Sequence, residues 1–165
     1  AGIPTNVFYA SEFRYSPPPL LPNTLTIGVT QSGETADTIA AIDMEIKRRS
    51  SIEDIKFKPN LVAITNRKES SIGRQVSNII DICAGIEVGV AATKTFFAQL
   101  LSFYGLAIKF AQINFILSSS IIIFTISINK YFIQHSIFLS WSGQSMVCIR
   151  RNCTRPNHRD HATIC

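Results

Sequence analysis

The spacing of apolar residues divides this chain into two stretches of different character. Up to about residue 111, short runs of β-branched and aromatic residues alternate with longer runs in which apolar residues recur every three or four positions. Strands and helices alternating in this way predict an α/β domain on a parallel sheet. The run "NVFYA" (6–10) predicts a first strand, and "RYSPPPLLPN" (14–23) a loop, because its prolines exclude helix and central strand. A second strand follows at "TLTIGVT" (24–30). In "ETADTIAAIDMEIKRR" (34–49) Ala36, Ile39, Ile42 and Ile46 share one stripe, with Glu34 at the start and Lys47, Arg48 and Arg49 at the end, as a helix dipole favours.

The polar stretch "SSIEDIKFKPN" (50–60) leads to a third strand, "LVAIT" (61–65), a short helix in "SSIGRQVS" (70–77) and a fourth strand, "NIIDICA" (78–84). A last helix in "AATKTFFAQLLSFYGLAIKF" (91–110) is expected to bury Phe97, Leu100, Leu101, Tyr104 and Ile108 on one face. This order predicts right-handed crossovers and a doubly wound sheet.

Beyond Ala111 the pattern is lost. "INFILSSSIIIFTISINKYFIQHSIFLSW" (113–141) has no acidic residue and no clean period of two or 3.6. Residues 110–129 are uncharged over about the length of a membrane span. Asn114, Ser118, Ser119, Ser120, Thr125, Ser127 and Asn129 make it a poor one, since each needs a hydrogen-bond partner in hydrocarbon, and no membrane role is expected. The expected division is a domain at 1–111 and an apolar tail of undetermined structure at 112–165, the latter reading as read-through or out-of-frame sequence that does not continue the domain.

Composition and charge then limit the function classes. With 165 residues, 46% of them hydrophobic, the chain suffices for one domain with a real core. A net charge of +5 invites a nucleic-acid partner, but residues 1–87 hold nine Lys or Arg against ten Asp or Glu, while residues 88–165 hold seven against one. The densest basic cluster, "IRRNCTRPNHR" (149–159), is short and terminal, so nucleic acid is not expected. Cys83, in "IIDICAG", has the context of a small buried residue. Cys148, Cys153, His158, His161 and Cys165 spell C-x4-C-x4-H-x2-H-x3-C, which matches no standard zinc spacing and predicts no metal site. The first 20 residues lack the charged start and apolar core of a signal peptide, so a reducing compartment is expected: the cytoplasm, or a plastid should a transit peptide precede residue 1.

The chemistry collects at two strand ends. Ligands of open α/β sheets bind beyond the carboxyl ends of strands, where the next helix presents unpaired N–H groups and partial positive charge. "TQSGET" (30–35) stands there after the second strand, with Ser32 as an expected N-cap, Gly33 allowing close backbone approach, and Thr30, Gln31, Ser32 and Thr35 as neutral hydrogen-bonding groups. A phosphate fits such a cradle, although the same residue types also serve simply as helix caps. "GIEVGVAATKT" (85–95) follows the fourth strand and feeds a second helix, so two loops could face one pocket.

"ASEFRY" (10–15), "TQSGETADT" (30–38), "ITN" (64–66) and "GIEVGVAATKTFFAQL" (85–100) closely resemble the isomerase part of the glutamine:fructose-6-phosphate aminotransferases, also called glucosamine-6-phosphate synthases. The resemblance runs from residue 1 to about 111. It implies a sugar isomerase (SIS) subdomain, truncated at its N-terminus, with a fructose 6-phosphate site made by Thr30, Gln31, Ser32, Gly33 and Thr35 and by sugar contacts at Val90 and Ala92. Thr30 replaces a serine common in the family and keeps the hydroxyl; Ala92 replaces another and does not. It also implies a homo-oligomeric parent enzyme and no cofactor. The family's glutaminase cysteine and the lysines, glutamate and histidine of its second SIS subdomain have no counterpart here, so no catalytic residue is assigned and the chain alone is expected to be inactive. The expected function is therefore a part of the enzyme that converts fructose 6-phosphate and glutamine to glucosamine 6-phosphate. The alternatives are a stand-alone SIS-type phosphosugar-binding or regulatory module and, more remotely, a small membrane-anchored protein.

Overall fold

A computed structural model describes residues 3–88, 92–113 and 145–150. The chain runs β1 (Thr5–Tyr9), α1 (Ala10–Tyr15), β2 (Thr24–Val29), α2 (Ala36–Ser50), a 3-10 turn at Ile55–Phe57, β3 (Leu61–Thr65), α3 (Ser71–Gln75), β4 (Asn78–Asp81), α4 (Thr93–Ile113) and β5 (Ser145–Arg150). The five described strands form one sheet in the order β1-β5-β2-β3-β4. β2, β3 and β4 are parallel neighbours, and β5 runs antiparallel to both β1 and β2.

The α/β class and the helices on both faces agree with the sequence pattern. One face of the sheet carries α1, α2 and α3 over a core of Phe13, Ala41, Ile42, Leu61, Ala63, Ile72 and Met146. The other carries α4 over Ile27, Val29, Ile64, Ile82, Ala98, Val147 and Ile149. Successive strand residues go to opposite faces, as the strand period of two requires: Leu61 and Ala63 to one, Val62 and Ile64 to the other. Gly28 of β2 is a glycine because its face is taken, since a Cβ there would stand 3.0 Å from Ile72 Cδ1 and 3.3 Å from Ile42 Cδ1.

The structure corrects several expectations about the fold. The sheet is mixed rather than parallel throughout, because residues 145–150, assigned to a tail outside the domain, insert as β5 between β1 and β2. Their alternation is clear in the structure, with Met146 and Cys148 on one face and Val147 and Ile149 on the other. The rest of the tail from 114 to 144 and from 151 to 165 lies outside the described residues. Second, "ASEFRY" is a helix, α1, pinned by the fully buried Phe13, whose ring meets Phe8 edge-on at 5.5 Å. Third, α4 buries Thr95, Ala98, Gln99 and Ala111, with Phe103, Leu106 and Phe110 beside the core, while Leu100 and Tyr104 are exposed. The helix is apolar nearly all round, so its sequence does not single out one face. Fourth, Cys83 is exposed.

The expected α2 stripe holds at Ile42, which is fully buried, and at Ile39 and Ile46, which pack against the same core, but the buried face is wider and more polar than the apolar positions indicate. Its buried positions are Thr38, Ala41, Ile42, Glu45 and Arg49, and Ala36 is exposed. Glu45 and Arg49 form a buried pair at 2.7 Å, and the surrounding polar groups complete it: Thr26 Oγ1 donates to Glu45 at 3.4 Å, Arg49 to Leu21 O at 3.2 Å and Arg48 to Pro18 O at 2.7 Å. The basic end of α2 thus holds the proline loop against the sheet, in addition to any favourable interaction with the helix dipole.

Candidate functional site

The carboxyl ends of β2, β3 and β4 open onto one cleft of ≈ 430 Å³. Gln31 enters it from the loop after β2, Asn66 and Arg67 from the loop after β3, Asp81 from the end of β4, and Cys83 and Glu87 from the segment after β4. Two tightly bonded loops form its walls.

The first wall is the loop 30–35, which meets the cleft through Gln31, while its other residues stand behind or beside that contact. Gly33 has φ +69°, the left-handed conformation that glycine adopts without cost, and a Cβ on it would overlap the Ser70 side chain. That turn lets the Gly33 N–H donate to Thr30 Oγ1 at 3.2 Å, and Thr30 Oγ1 lies 3.0 Å from Thr35 Oγ1. Ser32 Oγ accepts from the Glu34 N–H at 3.2 Å, closing the turn. Ser32 is therefore not the N-cap of α2. Thr35 holds that position and makes no side-chain cap bond, so the first N–H groups of a 15-residue helix keep their polarity toward this loop.

The loop is clasped from behind by α3. Ile72 N–H donates to Gly33 O at 3.1 Å, and Ser71 N–H donates to Glu34 Oε1 at 2.7 Å. Hydrogen bonding by Ser71 is the main reason that the Glu34 carboxyl is held below the usual glutamate range. Sequence reading gave Glu34 only a dipole role in α2; its charge instead serves a neighbouring element.

The second wall begins at Asp81. Cys83 and Gly85 both have positive φ, +50° and +68°, so the chain turns sharply between them. Asp81 accepts from the Cys83 N–H at 2.9 Å and pairs with Lys68 at 3.2 Å. Burial works to raise the Asp81 carboxyl, but the Cys83 amide and the Lys68 ammonium outweigh it and hold it low. The hydrogen bond to Asp81 in turn raises Lys68. Partial desolvation of the sulfur, although the residue as a whole is exposed, and then the Asp81 charge push the Cys83 thiol up. Further on, Lys94 Nζ donates to Ile86 O and Thr95 N–H donates to Glu87 Oε2 at 3.2 Å, folding the loop onto the start of α4.

Among the expected site residues, Thr30, Gln31, Ser32, Gly33 and Thr35 are brought together in the first wall, with Thr30 fully buried behind the half-buried Thr35. Ala92 stands immediately before α4, where its carbonyl accepts from Phe96 N–H at 3.2 Å and Thr95 Oγ1 at 3.3 Å. Val90 lies outside the described residues. Sequence reasoning gave no role to Asn66 or Asp81. The signal at Asp81 was position alone, a short polar side chain at the carboxyl end of a parallel strand; Asn66 had the same position and also stood in "ITN", which carried the resemblance without a role.

No group of three metal-ligating side chains occurs among the described residues. α4 is long and apolar enough to cross a membrane by length and composition, yet its Thr95, Ala98 and Gln99 are buried against the sheet.

The chain is 67% identical over 109 residues to a glutamine–fructose-6-phosphate aminotransferase (isomerizing) of Thermosynechococcus vestitus, an alignment covering 66% of this chain and 17% of that protein. It is 43% identical over 114 residues to the protein of the same name from Methanosarcina mazei, covering 69% and 17%. The chain thus spans about a sixth of the length of these relatives. Among solved structures, the C-terminal domain of glucosamine-fructose-6-phosphate aminotransferase from Francisella tularensis superposes with a TM-score of 0.61 at 29% identity, covering 76% of this chain and 33% of that one. Residues 1–109 match the SIS domain family, and this chain belongs to it.

Proposed function

We propose that this chain supplies the phosphate-binding wall of a fructose 6-phosphate site belonging to a glutamine:fructose-6-phosphate aminotransferase. The observation that carries the reading is the hydroxyl pair of Thr30 and Thr35 at the uncapped start of α2. Thr30 Oγ1 already accepts from Gly33 N–H, so it can donate to Thr35, and the Thr35 hydrogen is then left for a ligand. A dianionic phosphate at that point gains from the Thr35 donor and from the helix N–H groups together, without a lysine. The relatives' names supply the substrate, and the cleft along the ends of β2, β3 and β4 supplies room for the sugar.

Binding is the role assigned to this chain; turnover requires acid, base and amine groups that the resemblance assigns to another subdomain. The test is titration of the whole chain with fructose 6-phosphate and with fructose, read by amide chemical shifts. Shifts at Thr30, Gln31, Ser32 and Thr35 with the phosphate ester alone are expected. The Thr35→Ala variant is expected to bind about 1.5–3 kcal/mol more weakly, the worth of one charged hydrogen bond. Equal binding by a folded Thr35→Ala variant would reduce these hydroxyls to helix-start chemistry.

A further inference from the structure

The two walls of the cleft are separate in sequence, and one residue ties them, by its backbone on one side and its side chain on the other. Asn66 follows β3, between the strands that end in the two loops. Its backbone N–H donates to Gln31 O at 3.1 Å, in the first wall, and Thr65 Oγ1 donates to the same carbonyl at 3.4 Å. Its side-chain amide reaches the second wall and binds it at both ends: Nδ2 donates to Gly85 O at 2.6 Å, and Oδ1 accepts from Ala84 N–H at 2.9 Å. Turning the amide over would set oxygen against oxygen and N–H against N–H, so the two bonds fix its orientation. The positive-φ residues on either side of Ala84 complete the match, because they form the turn that offers an N–H and a C=O from adjacent residues to one amide.

We infer that Asn66 is a positioning residue that sets the distance between the phosphate loop at 30–35 and the sugar-facing loop after β4. It acts through the two backbones and touches no ligand. The inference rests on the fructose 6-phosphate reading above only for the ligand, since the tie between the loops exists without it. Aspartate at this position has the same size and keeps the acceptor for Ala84 N–H, but when ionised it opposes the Gly85 carbonyl oxygen. Protonation restores a donor there.

The experiment therefore compares the whole chain with its Asn66→Asp and Asn66→Ala variants, each shown to be folded by circular dichroism. Without ligand, both substitutions are expected to speed hydrogen exchange at Ala84 and to shift the amide resonances of both loops, those of residues 31–33 included. With fructose 6-phosphate, both are expected to weaken binding about tenfold or more at pH 7, the scale of a misplaced site. The deficit of Asn66→Asp relative to wild type at the same pH should shrink as pH falls through the aspartate pKa, whereas that of Asn66→Ala should stay constant. Shifts confined to the loop after β4, or wild-type affinity in both variants, overturn the positioning role while leaving the binding reading intact. Should wild type bind no sugar phosphate while the ligand-free shifts cross both loops, the binding reading fails and the tie stands. A variant that unfolds is replaced by Asn66→Ser, which removes the Gly85 bond and is held to the same two outcomes.

Discussion

At Gly33 the backbone and the packing make the same demand. A left-handed φ excludes most side chains, and the contact with Ser70 leaves no room for a Cβ. Gly33→Ala is therefore expected to cost about 1–2 kcal/mol from the backbone alone, plus the displacement of Ser70. Thermal denaturation should show that loss together with weakened phosphate binding; an unchanged melting temperature would contradict it. Glu34 makes a prediction with a sign. Its folded carboxyl is held low by Ser71, so the clasp's contribution is complete above the ordinary glutamate pKa of about 4.3 and is lost as pH falls through the depressed value. The stability gap between wild type and Glu34→Gln should be largest near neutrality and close in acid. A gap independent of pH would mean that charge plays no part. Residues at strand ends were legible by type and place, but their partners were not, since Ser71 is 37 positions from Glu34.

Periodicity located β2, α2, β3, α3, β4 and α4 to within a few residues, because short apolar strands and long amphipathic runs differ in period. It placed their faces less well. α2 exposes Ala36 and buries an ion pair, which no hydropathy pattern encodes. Glu45→Ala strands the buried Arg49 guanidinium and is expected to cost about 3–5 kcal/mol. The double variant Glu45→Leu, Arg49→Met should recover much of that, and chemical denaturation measures both. β5 escaped notice for a different reason. Its alternation covers six residues far from the domain, and only the neighbouring strands reveal that "SMVCIR" has a place to go. Met146 is fully buried there, so Met146→Ala should cost about 2–5 kcal/mol, whereas a tail outside the fold would leave stability unchanged.

For the whole molecule, sequence pattern and resemblance made the doubly wound architecture and the cleft at the strand ends legible, since both follow from the order of elements. The tie between the cleft walls required coordinates. The position of β5 has a consequence for how the chain reaches this state. Among the described strands β1 pairs with β5 alone, Val7 meeting Val147, so β5 holds β1 to the rest of the sheet. During synthesis, β2, β3 and β4 can assemble once their own segment has emerged, while β1 must wait for residues some 140 positions later. Such distant pairing slows folding and leaves open strand edges in the interval. Nascent chains arrested before residue 145 should therefore show protease cleavage within β1, and that sensitivity should disappear only when β5 has been made.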